Sequence, residues 1–457
     1  MSTPVAYDAA PTAKKELLSG TATKRSRIAF FGIFGIQNLG NECTLQAILH
    51  NIRKRLPGED IYAISFNPVD TSKRHSLVAF PVSQQDFSGV VRRAGLWGKL
   101  AKAVRICRRV PAELMEWFQA IRTLRGTDLV VMTGTGMLTD YMTTASGFPY
   151  DVFRWTAAAR FAACKVRFVG VGVGPIYGRL SRWLITTALS MADYRSFRDQ
   201  NSKNRIKKNG FDSDKDPVFP DLVFSLAPDI LPRRLKDKRQ IREVGLGVMD
   251  HRDIHLWNSN EHQAQYSAYL ETMCDFVSWL VERKYAIRIL QGDATHDAST
   301  RAELRARLEK RGISYDQAGI TDEGSTTVEA LIAQIAEVDI VVSPRFHNLL
   351  LGLMLSIPAV SISYDPKNDS LLEGVGLGKY CQPLAELDLQ RLIDQFTELE
   401  ARGDEAKPMI EQKAKEYRNL LEQQYDLIFS EWERLPGKSM ATQPTAQGPG
   451  GLHEASH

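Results

Sequence analysis

The residues best suited to chemistry are Arg345 and His347, which lie in the segment DIVVSPRFHNLLLGLMLSIPAVSISYD from Asp339 to Asp365. An apolar strand precedes the pair and an apolar helix follows it, so both side chains are expected at a strand-to-helix turn. There the helix dipole and a guanidinium favour an anion, and an imidazole suits proton transfer. The alternative for a lone histidine is a structural hydrogen bond. His251 is a competing candidate, but no apolar helix starts directly after it.

A second arginine, Arg198, follows a glycine-rich strand end and a predicted helix. The run from Gly170 to Gly174 ends that strand, which is where a doubly wound sheet places its ligands. Since Arg198 lies beside Asp199, its guanidinium either binds a phosphate or carboxylate ligand or forms an ion pair with that neighbour.

Two earlier segments join a strand to a glycine-containing loop. In FGIFGIQNLGNECTL, Asn41 is predicted to cap the following helix and Glu42 to face a ligand hydroxyl. In DLVVMTGTGMLTD, Gly134 and Gly136 would let a ligand approach the backbone closely. The alternative in both loops is that the glycines only permit a turn, and that Glu42 only complements the helix N-terminus.

The elements that position these residues alternate between strands and helices in two series. The predicted strands are Arg27–Phe34, Ile61–Phe66, Asp128–Met132 and Val166–Val173, then Glu243–Met249, Ala286–Gln291, Asp339–Val342 and Ala359–Tyr364. Such alternation is typical of parallel sheets covered by helices on both faces. The prediction is therefore an α/β fold with two Rossmann-like domains that face each other across a cleft, followed by C-terminal helices.

The domain boundaries follow from composition. Residues 1–25 and 436–457 are predicted to be flexible tails, because they are rich in small and polar residues. Residues 26–230 form the predicted N-terminal domain and residues 243–383 the C-terminal domain, joined by a basic linker over 231–242. Residues 384–435 complete the chain as two helices.

The overall composition excludes several classes of protein. Hydrophobic residues make up 43% and charged residues 25%, a balance typical of a folded domain. The net charge of +4 does not indicate a nucleic-acid partner. Five widely spaced cysteines without a CxxC pair favour a reducing, cytoplasmic compartment. No run of 18 apolar residues predicts a membrane span, and neither His251 with His255 nor the acidic loop at 212–216 has a further ligand that would make a metal site.

A basic stretch from Arg92 to Arg109, RRAGLWGKLAKAVRICRR, has seven basic and no acidic residues, with Leu96, Leu100 and Val104 on one helical face. The pattern fits a helix lying on the inner face of an anionic membrane, which would make the protein peripheral there. The alternative is a solvated basic face whose apolar stripe packs onto the domain.

Taken together, these segments resemble the motifs of the polysaccharide pyruvyl transferase family in order and spacing. The family's N-x-G-(D/N)-E loop is matched by Asn38, Gly40, Asn41 and Glu42, and its glycine cluster by Thr133 to Gly136. A G-x-G-P turn, an R-D pair and a later aspartate are matched by Gly172 to Pro175, Arg198 with Asp199, and Asp221. Its R-x-H and Y-D-x-K motifs are matched by Arg345, His347, Tyr364, Asp365 and Lys367.

The resemblance implies a fold like that of the GT-B glycosyltransferases and the transfer of pyruvate from phosphoenolpyruvate to a sugar or lipid-linked oligosaccharide as a ketal, without a cofactor. It implies that Arg198, Arg345 and Lys367 bind the donor and that His347 is the general acid. Glu42 is the candidate base for the acceptor hydroxyl. The residues expected in loops on the acceptor side, in the N-terminal domain, are Asn38, Gly40, Asn41, Gly134, Gly136 and Gly174.

Two rival functions remain open at this stage. A nucleotide-sugar glycosyltransferase would have the same two-domain architecture and the same glycine-rich loops. A catalytically silent glycan- or anion-binding protein of this fold is the rival from another class.

Overall fold

The computed structural model describes residues 26–83, 96–141, 143–232, 243–250, 260–293 and 297–429. In this part of the chain it contains two six-stranded sheets, and every strand pairs with its neighbours in parallel. The predicted α/β fold class with two Rossmann-like halves is confirmed.

The first half is built on a sheet with the strand order β3-β2-β1-β4-β5-β6. The strands are β1 (Arg27–Phe31), β2 (Asp60–Ser65), β3 (Val78–Pro81), β4 (Leu129–Met132), β5 (Lys165–Val171) and β6 (Tyr194–Phe197). The helices are α1 (Leu39–Arg55), α2 (Pro68–His75), α3 (Leu96–Leu124), α4 (Phe148–Phe161), α5 (Arg179–Ser190) and α6 (Gln200–Lys208).

The second half repeats this arrangement with the order β12-β11-β10-β7-β8-β9. The strands are β7 (Glu243–Gly247), β8 (Ala286–Leu290), β9 (Ile320–Thr321), β10 (Ile340–Ser343), β11 (Ala359–Ser363) and β12 (Cys381–Pro383). The helices are α7 (Asn260–Glu282), α8 (Asp297–Lys310), α9 (Tyr315–Ala318), α10 (Val328–Glu337), α11 (Phe346–Met354), α12 (Pro366–Gly374), α13 (Leu389–Ala401) and α14 (Gly403–Phe429).

In each half, the first three strands are added in one direction along the sheet and the next three in the opposite direction. The order therefore reverses between the first and the fourth strand of each half. These strands are β1 and β4 in the first half and β7 and β10 in the second. A doubly wound sheet has an open crevice at this point, outside the carboxyl ends of the strands. The topology therefore gives each half one crevice in which loops can hold a ligand.

The two faces of the first sheet enter different cores. Ile28 and Phe30 of β1 belong to the larger core, whereas Ala29 and Phe31 belong to a smaller one under α4 and α5. Alternate residues of a strand point to opposite faces, which is why a strand buried on both sides is a continuous apolar run. The larger core continues into the second half, so the two halves share it.

The last helix returns to the first half. On α14, Gln424 Nε2 donates to Ser196 Oγ at 2.6 Å, and the Tyr425 and Ser225 hydroxyls are 2.9 Å apart. Glu422 forms an ion pair with Arg55 of α1. Helix α14 also packs on α11 and α13 of the second half, so it fixes the position of one half against the other. None of the helices among the described residues is both long and apolar enough to cross a bilayer.

Candidate active site

His347 is the second residue of α11, and its ring lies across the boundary between the halves. A Cβ atom built on Gly40 of α1 would overlap the imidazole ring. Only glycine therefore leaves room for His347 at this point. The start of α1, in the first half, forms the surface on which the histidine of the second half rests.

Arg198 follows β6 and is held by two carboxylates of the first half. Its Nε lies 3.4 Å from Asp199 Oδ2, and its Nη1 lies 3.6 Å from Asp221 Oδ2. The guanidinium covers Gly172, where an added Cβ would be 2.7 Å from Cζ. It also lies 5.3 Å from the ring centroid of Phe346, so that Arg198 reaches the second half.

Arg345 immediately precedes α11 and is anchored from the second sheet. Its Nη2 pairs with Asp297, and its aliphatic stem lies over Gly292, where an added Cβ would be 3.0 Å from Cγ. Asp297 also accepts backbone N–H bonds of 2.9 and 2.8 Å from Gly292 and Asp293. The Nε atom of Arg345 is buried and has no hydrogen-bond partner among the described residues, so its N–H is left for a ligand to satisfy.

Lys367 lies in the first turn of α12, after β11. Its Nζ is 4.6 Å from the ring centroid of Tyr364 and 5.9 Å from that of Phe346. Asp365 caps α12 and accepts the backbone N–H of Lys367 at 3.0 Å. The Phe346 ring is therefore near both Arg198 and Lys367, and their attraction to its face helps to hold the two cations together.

The surroundings of His347 keep its imidazole neutral. Burial, and then the positive charges of Arg198, Lys367 and Arg345, lower the pKa of His347 to about 3. Its Nε2 atom has no hydrogen-bond partner among the described residues. A buried polar atom without a partner costs about 1–3 kcal/mol, so this atom is suited to pairing with a bound ligand.

The two arginines remain charged because each has a buried carboxylate beside it. Burial opposes the charge of Arg198, but Asp221 and Asp199 raise its pKa, and Asp297 does the same for Arg345. Burial in turn raises the pKa of Asp221 and Asp297, against the opposing effect of the arginines. The result is a group of fixed cations around a neutral histidine, which we call the cation cluster: Arg198, Arg345, Lys367 and His347.

The sequence of this chain matches a family model described as polysaccharide pyruvyl transferase, over residues 38–366. The match spans more than half of the 457-residue chain and includes Arg198, Arg345 and His347; Lys367 follows its last residue. The chain belongs to the polysaccharide pyruvyl transferase family. This membership makes the protein a transferase of polysaccharide biosynthesis. Among curated proteins, none is similar enough in sequence to count as a match.

Solved structures with a similar fold are glycosyltransferases and epimerases. The S. aureus MnaA–UDP complex is 12% identical, with a TM-score of 0.55 over 91% of this chain and 99% of that one. The glycosyltransferase SnogD from Streptomyces nogalater is 15% identical, with a TM-score of 0.52 over 89% and 99%. The UDP-GlcNAc 2-epimerase from Methanocaldococcus jannaschii is 11% identical, with a TM-score of 0.50 over 82% and 92%. At these identities the likeness establishes the GT-B-like fold of this pyruvyl transferase family member.

Glu42 lies in a separate, fully enclosed network. Its Oε1 accepts the Gly35 N–H at 2.8 Å, and its Oε2 is 2.8 Å from His75 Nε2 and 3.9 Å from Arg74 Nε. The side chain has no exposed surface. Glu42 therefore holds the loop at Gly35, and the expectation that its carboxylate faces an acceptor hydroxyl was wrong.

The cap of α1 is also different from the one expected. Asn38 is the N-cap, and its side chain accepts the Asn41 N–H at 3.3 Å, so Asn41 lies inside the helix and does not cap it. Asn38 Nδ2 also donates to Asp293 Oδ2 at 3.3 Å, and the Leu39 N–H donates to the Gly292 carbonyl at 3.2 Å. These bonds join the start of α1 to the loop that supports Arg345.

The predicted loop glycines have unequal roles. An added Cβ on Gly134 would be 2.6 Å from the Gly170 carbonyl oxygen, and one on Gly174 would be 2.6 Å from Thr139 Oγ1. Both glycines therefore serve the close packing of loops. Gly136 is exposed, and an added Cβ there would be 4.0 Å from Arg198 Nη2, so Gly136 borders the cation cluster.

Sequence reasoning missed four residues that position the cluster: Gly172, Gly292, Asp297 and Phe346. Gly172 and Phe346 lie within motifs that the sequence analysis identified, but their contacts with Arg198 were not predicted. Gly292 and Asp297 follow β8 and had no such signal. Their contact with Arg345 depends on β8 and β10 both pairing with β7, which a local pattern does not reveal.

A cavity of about 340 Å³ lies at the carboxyl edge of the second sheet, beside the cation cluster. Among the described residues its lining has no charged side chain and consists of Gln265, Ala268, Tyr269, Thr272, Ser363, Tyr364, Pro383, Leu384, Ala385 and Leu387. Tyr364 belongs to this lining and also contacts Lys367. The volume and the mixed polar and apolar lining suit a neutral group better than an anion.

Proposed function

We propose that this protein transfers pyruvate from phosphoenolpyruvate to a sugar of an exopolysaccharide or cell-surface glycan precursor, as a ketal, with release of phosphate. The observation that carries the proposal is the convergence of three cations on a neutral histidine whose Nε2 lacks a partner in the described structure. Family membership supports the same reaction class.

The donor carries a carboxylate and a phosphate, and the cluster offers a cation from each of three elements. Arg345 is fixed through Nη2 by Asp297, and its Nε has no hydrogen-bond partner among the described residues. Arg198 is fixed by Asp199 and Asp221. Guanidinium groups bind carboxylate and phosphate oxygens in a fork, and anchoring them in advance lowers the entropy lost on binding.

His347 is proposed as the general acid, although it is neutral in the free protein. A bound donor brings negative charge into the cluster and so offsets the charges of Arg198, Lys367 and Arg345 that lower the pKa of His347. The imidazole then takes up a proton together with the donor. This order confines the acid to the complex that contains a substrate to protonate.

The reaction then balances in four moves. The proton of His347 passes to the methylene carbon of phosphoenolpyruvate, and the neighbouring carbon becomes an oxocarbenium-like centre. A sugar hydroxyl attacks that carbon and loses its proton. The C–O bond to phosphate breaks, and phosphate leaves with the bonding electrons and one proton. A second hydroxyl of the sugar attacks the same carbon and loses its proton, which closes the ketal. Of the two hydroxyl protons, one leaves on phosphate and the other restores the proton that His347 gave to the methylene carbon.

The acceptor is proposed to lie on the first half. Exposed Gly136 borders Arg198, so a sugar resting on this loop would be next to the donor. Since Glu42 is enclosed, we assign no protein base to the acceptor hydroxyl. Phosphate leaving from the same centre can take up one of the protons.

The first test measures thermal unfolding with phosphoenolpyruvate and, separately, with a panel of sugar nucleotides. A ligand at a hundred times its Kd stabilises the folded state by about 2.7 kcal/mol, which raises the Tm by a few degrees. We expect this rise with phosphoenolpyruvate in the natural protein and in Arg305→Ala, which changes an exposed arginine of α8. We expect none in Arg345→Ala.

A rise with sugar nucleotides alone would instead support the rival nucleotide-sugar glycosyltransferase. Stabilisation by phosphoenolpyruvate without phosphate release in the presence of any acceptor glycan would support the silent binding protein. Release of phosphate that depends on both phosphoenolpyruvate and a glycan is the result that the proposal requires.

A further inference from the structure

The outward face of α3 has the opposite polarity from that of an ordinary surface helix. Over its residues 110–118 the exposed positions are Val110, Pro111, Leu114, Met115 and Phe118, all of them apolar; the next exposed residue of the helix is Arg122. Glu116, in contrast, is buried. A surface helix normally packs its apolar stripe inward and exposes its polar residues. The exposed fractions of 66% for Leu114 and 61% for Phe118 show that this stripe faces solvent.

The apolar surface continues from α3 across α4 to α5. Trp117 of α3 lies 6.3 Å from Phe153 of α4, and Phe153 lies 5.5 Å from Trp183 of α5, measured between ring centroids. Trp183 is 55% exposed and Leu180, one turn earlier, is 58% exposed. We call the exposed side chains of this surface the apolar patch: Leu114, Met115, Phe118, Tyr177, Leu180 and Trp183.

The charges around the apolar patch have one sign. The acidic residues in the described side chains of α3, α4 and α5 are Glu113, Glu116 and Asp151, and all three contact Arg154. The exposed charged residues of the same helices are Arg122, Arg160, Arg179 and Arg182, and Arg160 is paired with Asp193. The three acids thus face Arg154, and Arg122, Arg179 and Arg182 make the exposed rim of the patch basic.

The basic stretch of the sequence lies on the same helix. Helix α3 begins at Leu96, so the residues from there to Arg109 form its first half. Their side chains, and the whole of residues 92–95, lie outside the described part, so the predicted membrane contact of Arg92 to Arg109 is not tested by the structure. The apolar patch is a separate observation on the second half of α3 and on α5.

The apolar patch reaches the carboxyl edge of the first sheet, the edge from which Arg198 enters the cation cluster. Tyr177 and Leu180 follow directly after the turn that contains Gly172, on which Arg198 rests. Asp140 fixes this connection by accepting the N–H groups of Tyr177 and Gly178 at 2.8 and 2.7 Å. A surface bound to the patch would therefore lie next to the mouth of the candidate site.

We propose that the apolar patch and its basic rim dock this protein on the surface of an anionic phospholipid bilayer. Exposed tryptophan, tyrosine and phenylalanine side chains insert at the headgroup level, and arginines bind anionic lipids. Two copies of the chain are a poorer fit, since a symmetric contact would bring the two basic rims together. The membrane docking itself does not depend on the proposed function. Only its purpose, to bring the site to a lipid-linked acceptor, rests on that function.

The test is flotation of the full chain with vesicles of phosphatidylcholine, alone or mixed with phosphatidylglycerol. We expect flotation with the mixed vesicles at low salt, and its loss as salt is raised or when phosphatidylglycerol is omitted. The double variant Phe118→Ser with Trp183→Ser should bind at least about tenfold more weakly, because burying one large apolar side chain contributes about a tenfold change. In the double variant Arg179→Gln with Arg182→Gln, binding to the mixed vesicles should depend less on the salt concentration.

The matched control is Leu427→Ser. Leu427 is 58% exposed on α14, which packs in the larger core on the opposite face of the first sheet. This variant should float like the natural protein. All variants should keep the Tm rise with phosphoenolpyruvate, which shows that they fold and separates this test from that of the donor site.

Two results would overturn the proposal. One is the absence of flotation with phosphatidylglycerol vesicles at low salt. The other is a dimer that depends on protein concentration and is abolished by the Phe118 and Trp183 changes, without lipid binding. Flotation without any effect of phosphoenolpyruvate would leave the docking intact and overturn the donor site instead.

Discussion

The first and second halves have the same strand order, but the side chains that they contribute to the candidate site follow different strands of that order. In the second half, Arg345 and His347 follow β10 at the crevice, and Lys367 follows the adjacent β11. In the first half the crevice lies between β1 and β4. There, an added Cβ on Gly32 would be 2.5 Å from Thr133 Oγ1, so the strand ends pack on each other. The cation of this half, Arg198, comes from the edge strand β6.

This difference assigns different tasks to equivalent parts of the fold. The second half uses its crevice to present charged and titratable side chains. The first half mainly provides glycines on which these side chains pack. His347 packs on Gly40, and Arg198 packs on Gly172. A shared topology therefore predicts where a site can form, and the side chains after each strand decide which half performs the chemistry.

The largest effect is expected from the histidine of the second half. His347→Asn should lower kcat by a factor of roughly 10² to 10⁴, the usual contribution of a general acid, while phosphoenolpyruvate still raises the Tm. The measurement is the rate of phosphate release per mole of folded protein.

The matched control uses the buried histidine of the first half. His75 is paired with Glu42, away from the cluster, so His75→Asn should lower the Tm and leave the rate of the folded protein nearly unchanged. If His75→Asn abolished turnover at full stability and His347→Asn did not, the division of tasks between the halves would be wrong.

The inner strands of both halves could be predicted from sequence, and the outer ones could not. The eight predicted strands correspond to β1, β2, β4, β5, β7, β8, β10 and β11. The missed strands, β3, β6, β9 and β12, are the two edges of each sheet and contain two to four residues. An inner strand is buried on both faces and is a continuous apolar run, whereas a short edge strand lacks this pattern.

The site shows the same limit. Arg345 and His347 could be singled out because a local pattern places them at the end of an inner strand. The residues on which these side chains rest could not be predicted, because Gly40 contacts His347 only through the packing of the two halves. Glu42 was misassigned for a related reason, since its partner His75 lies in another helix and leaves no trace in the local motif.

The second effect compares the arginines that the two halves contribute. Arg345→Lys and Arg198→Lys should each raise the Kd of phosphoenolpyruvate by about 10- to 100-fold, because an ammonium keeps the charge but loses the fork. Calorimetric titration measures both constants, with Arg305→Lys on the surface of α8 as the control. Similar losses would show that the donor contacts both halves, and a loss confined to Arg345→Lys would place the donor on the second half alone.

A smaller effect is expected from the glycine surface of the first half. Gly172→Ala places a methyl group 2.7 Å from the Arg198 guanidinium and should lower kcat/KM by about tenfold through displacement of that side chain. Gly403→Ala at the start of α14 is the control, since no heavy atom of the described residues lies within 4 Å of an added Cβ there. Equal kcat/KM values for the two variants would show that the position of Arg198 over Gly172 is unimportant.

The smallest effect is the uptake of a fraction of one proton when the donor binds. It tests how the two halves act on His347 together. In the free protein the pKa of His347 is lowered to about 3, so the imidazole is neutral at pH 8. A donor that offsets the surrounding charges raises this pKa, so binding should take up protons, and the affinity should increase as the pH falls.

Calorimetric titrations at pH 8 in buffers of different ionisation enthalpy measure this uptake. At that pH the donor phosphate, with its second pKa near 6, is already deprotonated and contributes little. The uptake should disappear in His347→Asn, and it should be smaller in Arg198→Lys, where the shifted cation of the first half no longer holds the donor charge close. Equal uptake in the natural protein and in His347→Asn would mean that the proton binds elsewhere, and the neutral histidine would then lose its role as the acid.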